Sequence, residues 1–175
     1  MANEPTILIV EDQPTILAGL KRFFEMVGYQ VKEASNLEAA LKLYGQLETV
    51  GQKPVAVISD LQMPQKEQDK VIADDAGIVL FEELRKRDPH LPLILSSSKD
   101  EDFIRQQLSN HKLEEGYLTA GNLAGMADKG AAGDMLALVE TLGGKAAELQ
   151  KTWAPQAKSP LQHATRPEGT GPRGV

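Results

Sequence analysis

The chain has 175 residues, 41% of them hydrophobic, a net charge of −6 and no cysteine. This length suits one domain with a substantial core, and the lack of cysteine excludes disulfides, thiol nucleophiles and thiolate metal sites. No apolar run reaches the roughly 18 residues of a membrane span and nothing resembles a signal peptide, so we expect a soluble cytoplasmic protein that does not enter membranes. Residues 151–175 carry a net charge of +3, which leaves −9 on residues 1–150. So acidic a body argues against nucleic-acid binding by the folded domain.

The first part of the chain alternates apolar segments with amphipathic ones. Helical spacing of apolar residues predicts one helix from Pro14, stopped at Gly28, and Ser35 to Glu38 form a capping box that starts another. The predicted elements are a strand over 6–11, a helix over 14–27, a strand over 29–34, a helix over 35–47 and a strand over 55–60.

The second part continues the alternation but contains two segments that are harder to assign. Residues 65–76 are polar and irregular, and residues 113–128 are rich in glycine. We predict the fifth strand over 125–129, although 116–120 looks more strand-like locally. The other predicted elements are a helix over 77–87, a strand over 93–97, a helix to Asn110 with a capping box at 98–101, and a helix over 131–142 ended by Gly143-Gly144.

Strands that alternate with helices indicate a parallel sheet with right-handed crossovers. Ligands of such sheets bind at the carboxyl ends of the strands. The first strand ends in Glu11-Asp12, the central strand ends in Asp60, and a later strand ends in a run of three serines at 96–98. Carboxylates and hydroxyls gathered at one edge predict a site for a hard cation and a phosphoryl group.

The residues that define this edge resemble the receiver domain of two-component response regulators. The matching pieces are ILIVED, VISDLQMP, GIVLFEELRKRDPHLPLILSS and DKGAAGDML, which together span about residues 5–142. The resemblance implies a flavodoxin-like, doubly wound fold with a five-stranded parallel sheet, the (βα)5 receiver fold. It also implies a domain over 1–144 with insertions at 65–76 and about 111–126. Residues 145–154 are then a candidate helical extension, and the Pro- and Gly-rich composition of 155–175 predicts a disordered tail.

The resemblance assigns a role to each site residue. Asp60 would accept the phosphoryl group, and Ser97 and Lys129 would contact that group. Glu11, Asp12, Asp60 and the backbone carbonyl of Gln62 would hold Mg2+. The implied partners are a histidine kinase or phosphotransfer protein and a downstream protein target.

Several alternatives stay open from sequence alone. Asp60 could be a turn or N-cap residue, and Glu11-Asp12 could simply cap the helix at Pro14. Ser96 or Ser98 could replace Ser97 as the active hydroxyl, and Lys99 or Lys112 could replace Lys129. The three histidines lie in turns or in the tail without metal-ligand spacing, so we expect them to be solvated; they are His90, His111 and His163.

The chain also departs from the family pattern. Gly77 falls 17 residues after Asp60 and Lys129 falls 32 residues after Ser97, and both spacings are longer than usual. Met126 stands where the family has a switch aromatic, Gly130 where it has proline, and Ser98 where it has a smaller residue. These departures leave the chemistry intact but put the usual aromatic switching in doubt.

The sequence allows three functions. The leading one is a stand-alone phosphorylatable receiver that signals through protein contacts and is no enzyme beyond its own phosphorylation and dephosphorylation. A degenerate receiver that binds a partner without phosphorylation is the alternative. A metal-dependent phosphohydrolase is disfavoured, because Gln62 occupies the position of its acid/base carboxylate.

Overall fold

The computed structural model describes residues 3–114 and 116–152. Helices alternate with the strands of its main sheet along the chain, and a short hairpin follows the third strand. In chain order they are β1 (Thr6–Val10), α1 (Pro14–Met26), β2 (Gln30–Ala34), α2 (Leu37–Thr49), β3 (Ala56–Asp60), β4 (Met63–Pro64), β5 (Ile72–Ala73), α3 (Ala76–Arg87), β6 (Leu93–Ser97), α4 (Glu101–Asn110), a 3-10 turn (Ala120–Asn122), β7 (Ala124–Asp128) and α5 (Ala132–Thr152).

The main sheet has five parallel strands in the order β2-β1-β3-β6-β7, which confirms the predicted doubly wound fold. The chain direction across the sheet reverses at β1, so the crevice at the carboxyl ends of β1 and β3 is a topological switch point. Asp60 pairs with Ser96 and Ser97 pairs with Asp128, which brings these strand ends to one level.

Alternate residues of the buried strands feed two separate cores, one on each face of the sheet. On one face Ile7, Ile9, Ile58 and Ile94 pack against α1 and α5, with Phe24 and Met135 among the contacts. On the other face Leu8, Val57 and Leu95 pack against α2, α3 and α4. Both faces of the central strands are thus covered, as near-continuous apolar runs require.

Gly77 sets how closely α3 approaches the end of β3. A Cβ atom at this position would lie 2.3 Å from the backbone oxygen of Asp60 and 3.0 Å from the Cα of Leu61. The amide of Gly77 donates to the Leu61 carbonyl at 2.9 Å. A residue without a side chain is therefore required where the helix begins against the strand that carries Asp60.

Several local predictions were wrong. The caps are single residues and not the predicted capping boxes: Asn36 accepts from the Ala39 amide, and Asp100 accepts from the Phe103 amide. Each starts its helix later than expected, because the side chain one or two positions further along reaches the free amides. The fifth strand, in contrast, was predicted correctly: β7 (Ala124–Asp128) lies within one residue of the predicted 125–129, while 116–120 forms turns and the start of the 3-10 element.

The last helix also differs from the prediction. It continues through Gly143-Gly144 to Thr152, because neither glycine adopts the left-handed conformation that ends a helix. Leu142 and Ala146 are buried on either side of the pair, so tertiary packing outweighs the low helix propensity of glycine. Trp153 and the tail predicted over 155–175 lie outside the described residues. None of the helices in the described ranges is long and apolar enough to cross a membrane.

The segment 65–76 is only partly irregular. Its end pairs with the residues just before it, Met63 with Ala73 and Pro64 with Ile72, as a short antiparallel hairpin. The Gln65 carbonyl accepts from the Glu38 amide at the start of α2. The hairpin therefore stands directly after the strand that ends in Asp60.

Candidate functional site

Three carboxylates meet at the switch point between β1 and β3. Glu11 and Asp12 follow β1 directly, and Asp60 is the last residue of β3. One oxygen of each carboxyl group lies within 4.8 Å of the others. Glu11 and Asp60 are 1% and 3% exposed, and Asp12 is half-buried, so water screens their mutual repulsion poorly.

Lys129 reaches this cluster from the end of β7. Its Nζ donates to Asp60 Oδ2 at 2.7 Å and lies 3.3 Å from Glu11 Oε1. Its backbone amide donates to the Ser97 carbonyl at 3.1 Å, which ties the end of β7 to the end of β6. Lys99 and Lys112 are exposed, and the Lys99 ammonium lies over the Phe103 ring. The structure therefore brings Lys129, and neither of the other two candidate lysines, to Asp60.

Burial and charge perturb all three groups of this contact. Burial, with the Asp60 charge, raises the pKa of Glu11 to about 7, although the Gln13 amide and Lys129 oppose the change. Burial also raises the pKa of Asp60, against the lowering effect of its hydrogen bond from Lys129. Burial lowers the pKa of Lys129, but the hydrogen bond to Asp60 and both carboxylate charges outweigh it, and the pKa is raised. Lys129 therefore stays protonated at neutral pH.

One ammonium cannot satisfy three carboxylates. Glu11 Oε1 accepts from the Gln13 amide at 3.0 Å, but Glu11 Oε2 and Asp12 Oδ1 are buried without a hydrogen-bond partner among the described residues. Buried oxygens without a donor are costly, and oxygen atoms are the ligands that Mg2+ prefers. The donor set, the excess negative charge and the unpartnered oxygens therefore fit a divalent cation.

Gln62 connects Asp60 to the hairpin. Its amide lies 3.3 Å from Asp60 Oδ1, and its side chain donates to Asp74 Oδ1. The half-buried Gln62 thus lies beside Asp60. Its backbone carbonyl stays the further cation ligand that the family resemblance implies. The contact with Asp74 depends on how residues 65–76 fold and could not be predicted from spacing.

The three serines differ in their surroundings. Ser96 and Ser97 are buried and Ser98 is exposed. Ser97 Oγ accepts from the Lys99 amide at 3.0 Å, so it already serves the turn after β6. Ser96 Oγ is buried without a partner among the described residues, on the strand position paired with Asp60. Exposure argues against Ser98, and Ser97 stays the hydroxyl assigned by resemblance.

Met126 lies on β7, paired with Leu95 of β6, and its side chain is 40% exposed. It borders a cavity of about 240 Å³ between α4 and the segment after it, together with Ile104, Leu108 and Leu118. A flexible thioether at this point adapts to different packing more readily than a ring does.

One prediction about the histidines was wrong. His111, at the end of α4, is not simply solvated: its Nε2 lies 2.7 Å from Asp75 Oδ2 and its Nδ1 lies 2.9 Å from Glu82 Oε2. These partners precede it by 36 and 29 residues, so no local pattern in the sequence could have indicated the contact.

The structure combines a doubly wound sheet with three carboxylates and one lysine at its switch point. The sequence profile of the response regulator receiver domain matches residues 7–118. The chain belongs to this family.

Curated relatives are similar over part of their length. The chain is 32% identical over 97 residues to the alkaline phosphatase synthesis transcriptional regulatory protein PhoP of Bacillus subtilis (strain 168), covering 55% of this chain and 35% of that protein. It is 31% identical over 108 residues to the sensor kinase CckA of Brucella abortus (strain 2308), covering 62% of this chain and 10% of that protein.

Solved structures show the same fold. A response regulator receiver domain protein (CheY-like) from Methanospirillum hungatei JF-1 has a TM-score of 0.60 at 18% identity, over 83% of this chain and 98% of that chain. A response regulator receiver domain protein from Clostridium thermocellum has a TM-score of 0.59 at 20% identity, with the same coverage of both chains. The predicted receiver fold is therefore confirmed.

Proposed function

We propose that this receiver domain accepts a phosphoryl group on Asp60, with Mg2+, as a response regulator in a two-component phosphorelay. The observation that carries the proposal is the contact of Lys129 with both Asp60 and Glu11, beside carboxylate oxygens that have no hydrogen-bond partner in the described part of the chain. A structural ion pair alone gives no reason to gather three acids around one lysine.

Phosphoryl transfer to Asp60 needs mainly a well-placed carboxylate and neutralisation of the phosphoryl charge. An Asp60 carboxylate oxygen attacks phosphorus and forms a P–O bond, while the bond from phosphorus to the donor nitrogen or oxygen breaks and the donor keeps that electron pair. Lys129 stays protonated and neutralises charge on the incoming oxygens as a point charge. The Gln62 amide orients the acceptor carboxylate from the other side.

Glu11, Asp12, Asp60 and the Gln62 carbonyl are the groups that we expect to hold the cation. Bound Mg2+ would offset the repulsion between the carboxylates and the phosphoryl oxygens. The raised pKa of Glu11 supports this assignment, because a cation would replace the proton that burial otherwise favours there.

The partners belong to the same proposal. A histidine kinase or a phosphotransfer protein would supply the phosphoryl group, and a downstream protein would recognise the phosphorylated form, in the cytoplasm. The chain spans only 10% and 35% of the two curated relatives described above, so their whole-protein activities are not transferred.

Mass spectrometry of the intact protein tests the acceptor. Incubation with acetyl phosphate and Mg2+ should add one phosphoryl group to the wild type and none to Asp60→Asn, and chelation of Mg2+ should prevent the gain. Ser98→Ala is a matched control on the exposed edge of the site and should behave as wild type. An equal gain in Asp60→Asn would disprove the acceptor, and no gain in wild type would favour a receiver that binds its partner without phosphorylation.

A further inference from the structure

The imidazole of His111 connects two segments that lengthen this chain relative to its family. His111 follows α4 at the start of the second insertion, and its side chain is 19% exposed. Its partner Asp75 lies near the end of the first insertion, directly before α3, and its partner Glu82 lies within α3. A single side chain thus holds the end of α4 against the beginning of α3.

The geometry requires a charged imidazole. Ionised carboxylates only accept hydrogen bonds, and a neutral imidazole carries one N–H and one lone pair. With a carboxylate 2.7 Å from Nε2 and another 2.9 Å from Nδ1, both ring nitrogens must donate. His111 therefore makes both contacts only as an imidazolium.

The clamped segment leads directly to the phosphoryl acceptor. Asp74, the neighbour of Asp75, accepts from the Gln62 side chain, and the Gln62 amide lies 3.3 Å from Asp60 Oδ1. On the other side of Asp75, the Gly77 amide donates to the Leu61 carbonyl. Displacement of Asp75 would disturb both of these connections to the end of β3.

We propose that His111, as an imidazolium, is a positioning residue that holds the start of α3 and, through it, Gln62 in place beside Asp60. This rests on the proposed function of Asp60 for its consequence in phosphorylation, but its structural content is independent. Loss of the proton leaves one carboxylate facing a lone pair, so one of the two contacts must open.

The direction of the pH effect follows from the neighbouring charges. Asp75 and Glu82 face His111 directly, and Tyr117 and Arg85 interact with each other next to Glu82. Burial lowers the pKa of His111, but the two carboxylates outweigh it and raise the pKa above the ordinary 6.5. Because the folded pKa is raised, the clamp is complete at low pH and opens as the pH rises through that raised pKa.

Three variants separate charge from packing. His111→Gln removes the cation, His111→Lys keeps a cation that does not titrate below about pH 9, and Lys112→Gln removes the adjacent positive charge without touching either contact. NMR titration of the histidine ring carbons gives the pKa of His111. Amide hydrogen exchange over residues 72–79 and at Gln62 reports local opening without any phosphorylation.

In His111→Gln we expect exchange in these amides to accelerate about tenfold at pH 6, the loss typical of a hydrogen bond to a charged group. As the pH rises past the pKa of His111, exchange in wild type should approach that of His111→Gln measured at the same pH. His111→Lys should keep slow exchange at pH 6 and at pH 8.5, and Lys112→Gln should match wild type at each pH. A His111 pKa at or below 6.5, or unchanged exchange in His111→Gln, would overturn the proposal.

Phosphorylation by acetyl phosphate gives the second readout. Displacement of Gln62 should slow phosphorylation of His111→Gln by about threefold to tenfold at pH 6, with a smaller difference from wild type at pH 8.5. The comparison at each pH removes the effect of Glu11, whose titration is common to both proteins. If wild type takes no phosphate, the proposed function fails while hydrogen exchange still decides the role of His111. Equal rates despite faster exchange would refute the link to the acceptor.

Discussion

Replacement of Gly77 by alanine tests how the fold positions Asp60. The added Cβ atom would lie 2.3 Å from the Asp60 oxygen, 2.9 Å from Leu95 Cδ1 and 3.0 Å from the Leu61 Cα. Two of these atoms belong to the backbone at the end of β3 and just after it and cannot rotate away, so α3 must move. Overpacking of this kind costs about 1–3 kcal/mol, which exceeds the gain of about 0.5–1 kcal/mol from alanine in a helix. We expect Gly77→Ala to lower the free energy of unfolding by about 1–2 kcal/mol.

Gly19→Ala is the matched control, because Gly19 lies within α1 and its added Cβ would meet no atom within 4 Å. This change should raise the free energy of unfolding by about 0.5–1 kcal/mol. Urea unfolding followed by circular dichroism measures both, and the two midpoints should move in opposite directions. Gly77→Ala should also slow phosphorylation by acetyl phosphate, because the shift begins at the Asp60 carbonyl. A Gly77→Ala protein as stable as Gly19→Ala would refute the close-approach argument.

Two further predictions concern the charges of the site. Lys129→Met should destabilise the protein by about 2–4 kcal/mol at pH 8, because Glu11 and Asp60 lose their cation. The loss should be smaller at pH 6, where protonation of Glu11 removes one of the two charges, and smaller with Mg2+; equal losses under all three conditions would contradict the assignment of these charges. In the absence of divalent cations, Glu11 should reduce stability as the pH rises from about 4.5 to 7, since the folded protein holds a proton there that the unfolded chain has released. Urea unfolding of wild type and Glu11→Gln across this range should show a less favourable pH slope in wild type, and identical slopes would argue against a raised pKa.

Local signals in the sequence were sufficient to predict the sheet and the three carboxylates of the site. The apolar runs before Glu11 and Asp60 predict buried parallel strands, and strand direction alone brings their ends to one edge. The acidic cluster could therefore be predicted from order and spacing, since each member follows a strand whose position the pattern defines. Lys129 was predicted only by resemblance. Its contact with Asp60 forms because the long segment before β7 folds back and places β7 at the edge of the sheet.

Long-range packing decided what the local signals could not. Gly143-Gly144 has the composition of a helix stop, yet α5 continues because Leu142 and Ala146 are buried on the same helix. Histidine in a turn after α4 suggests solvation, yet His111 lies between two carboxylates contributed by a distant part of the chain. The sequence thus determined the order of strands and helices and the chemistry at the strand ends, because those depend on neighbours along the chain. Only the tertiary structure decided which side chains meet across α3, α4 and the hairpin, because burial and charge pairing there involve residues tens of positions apart.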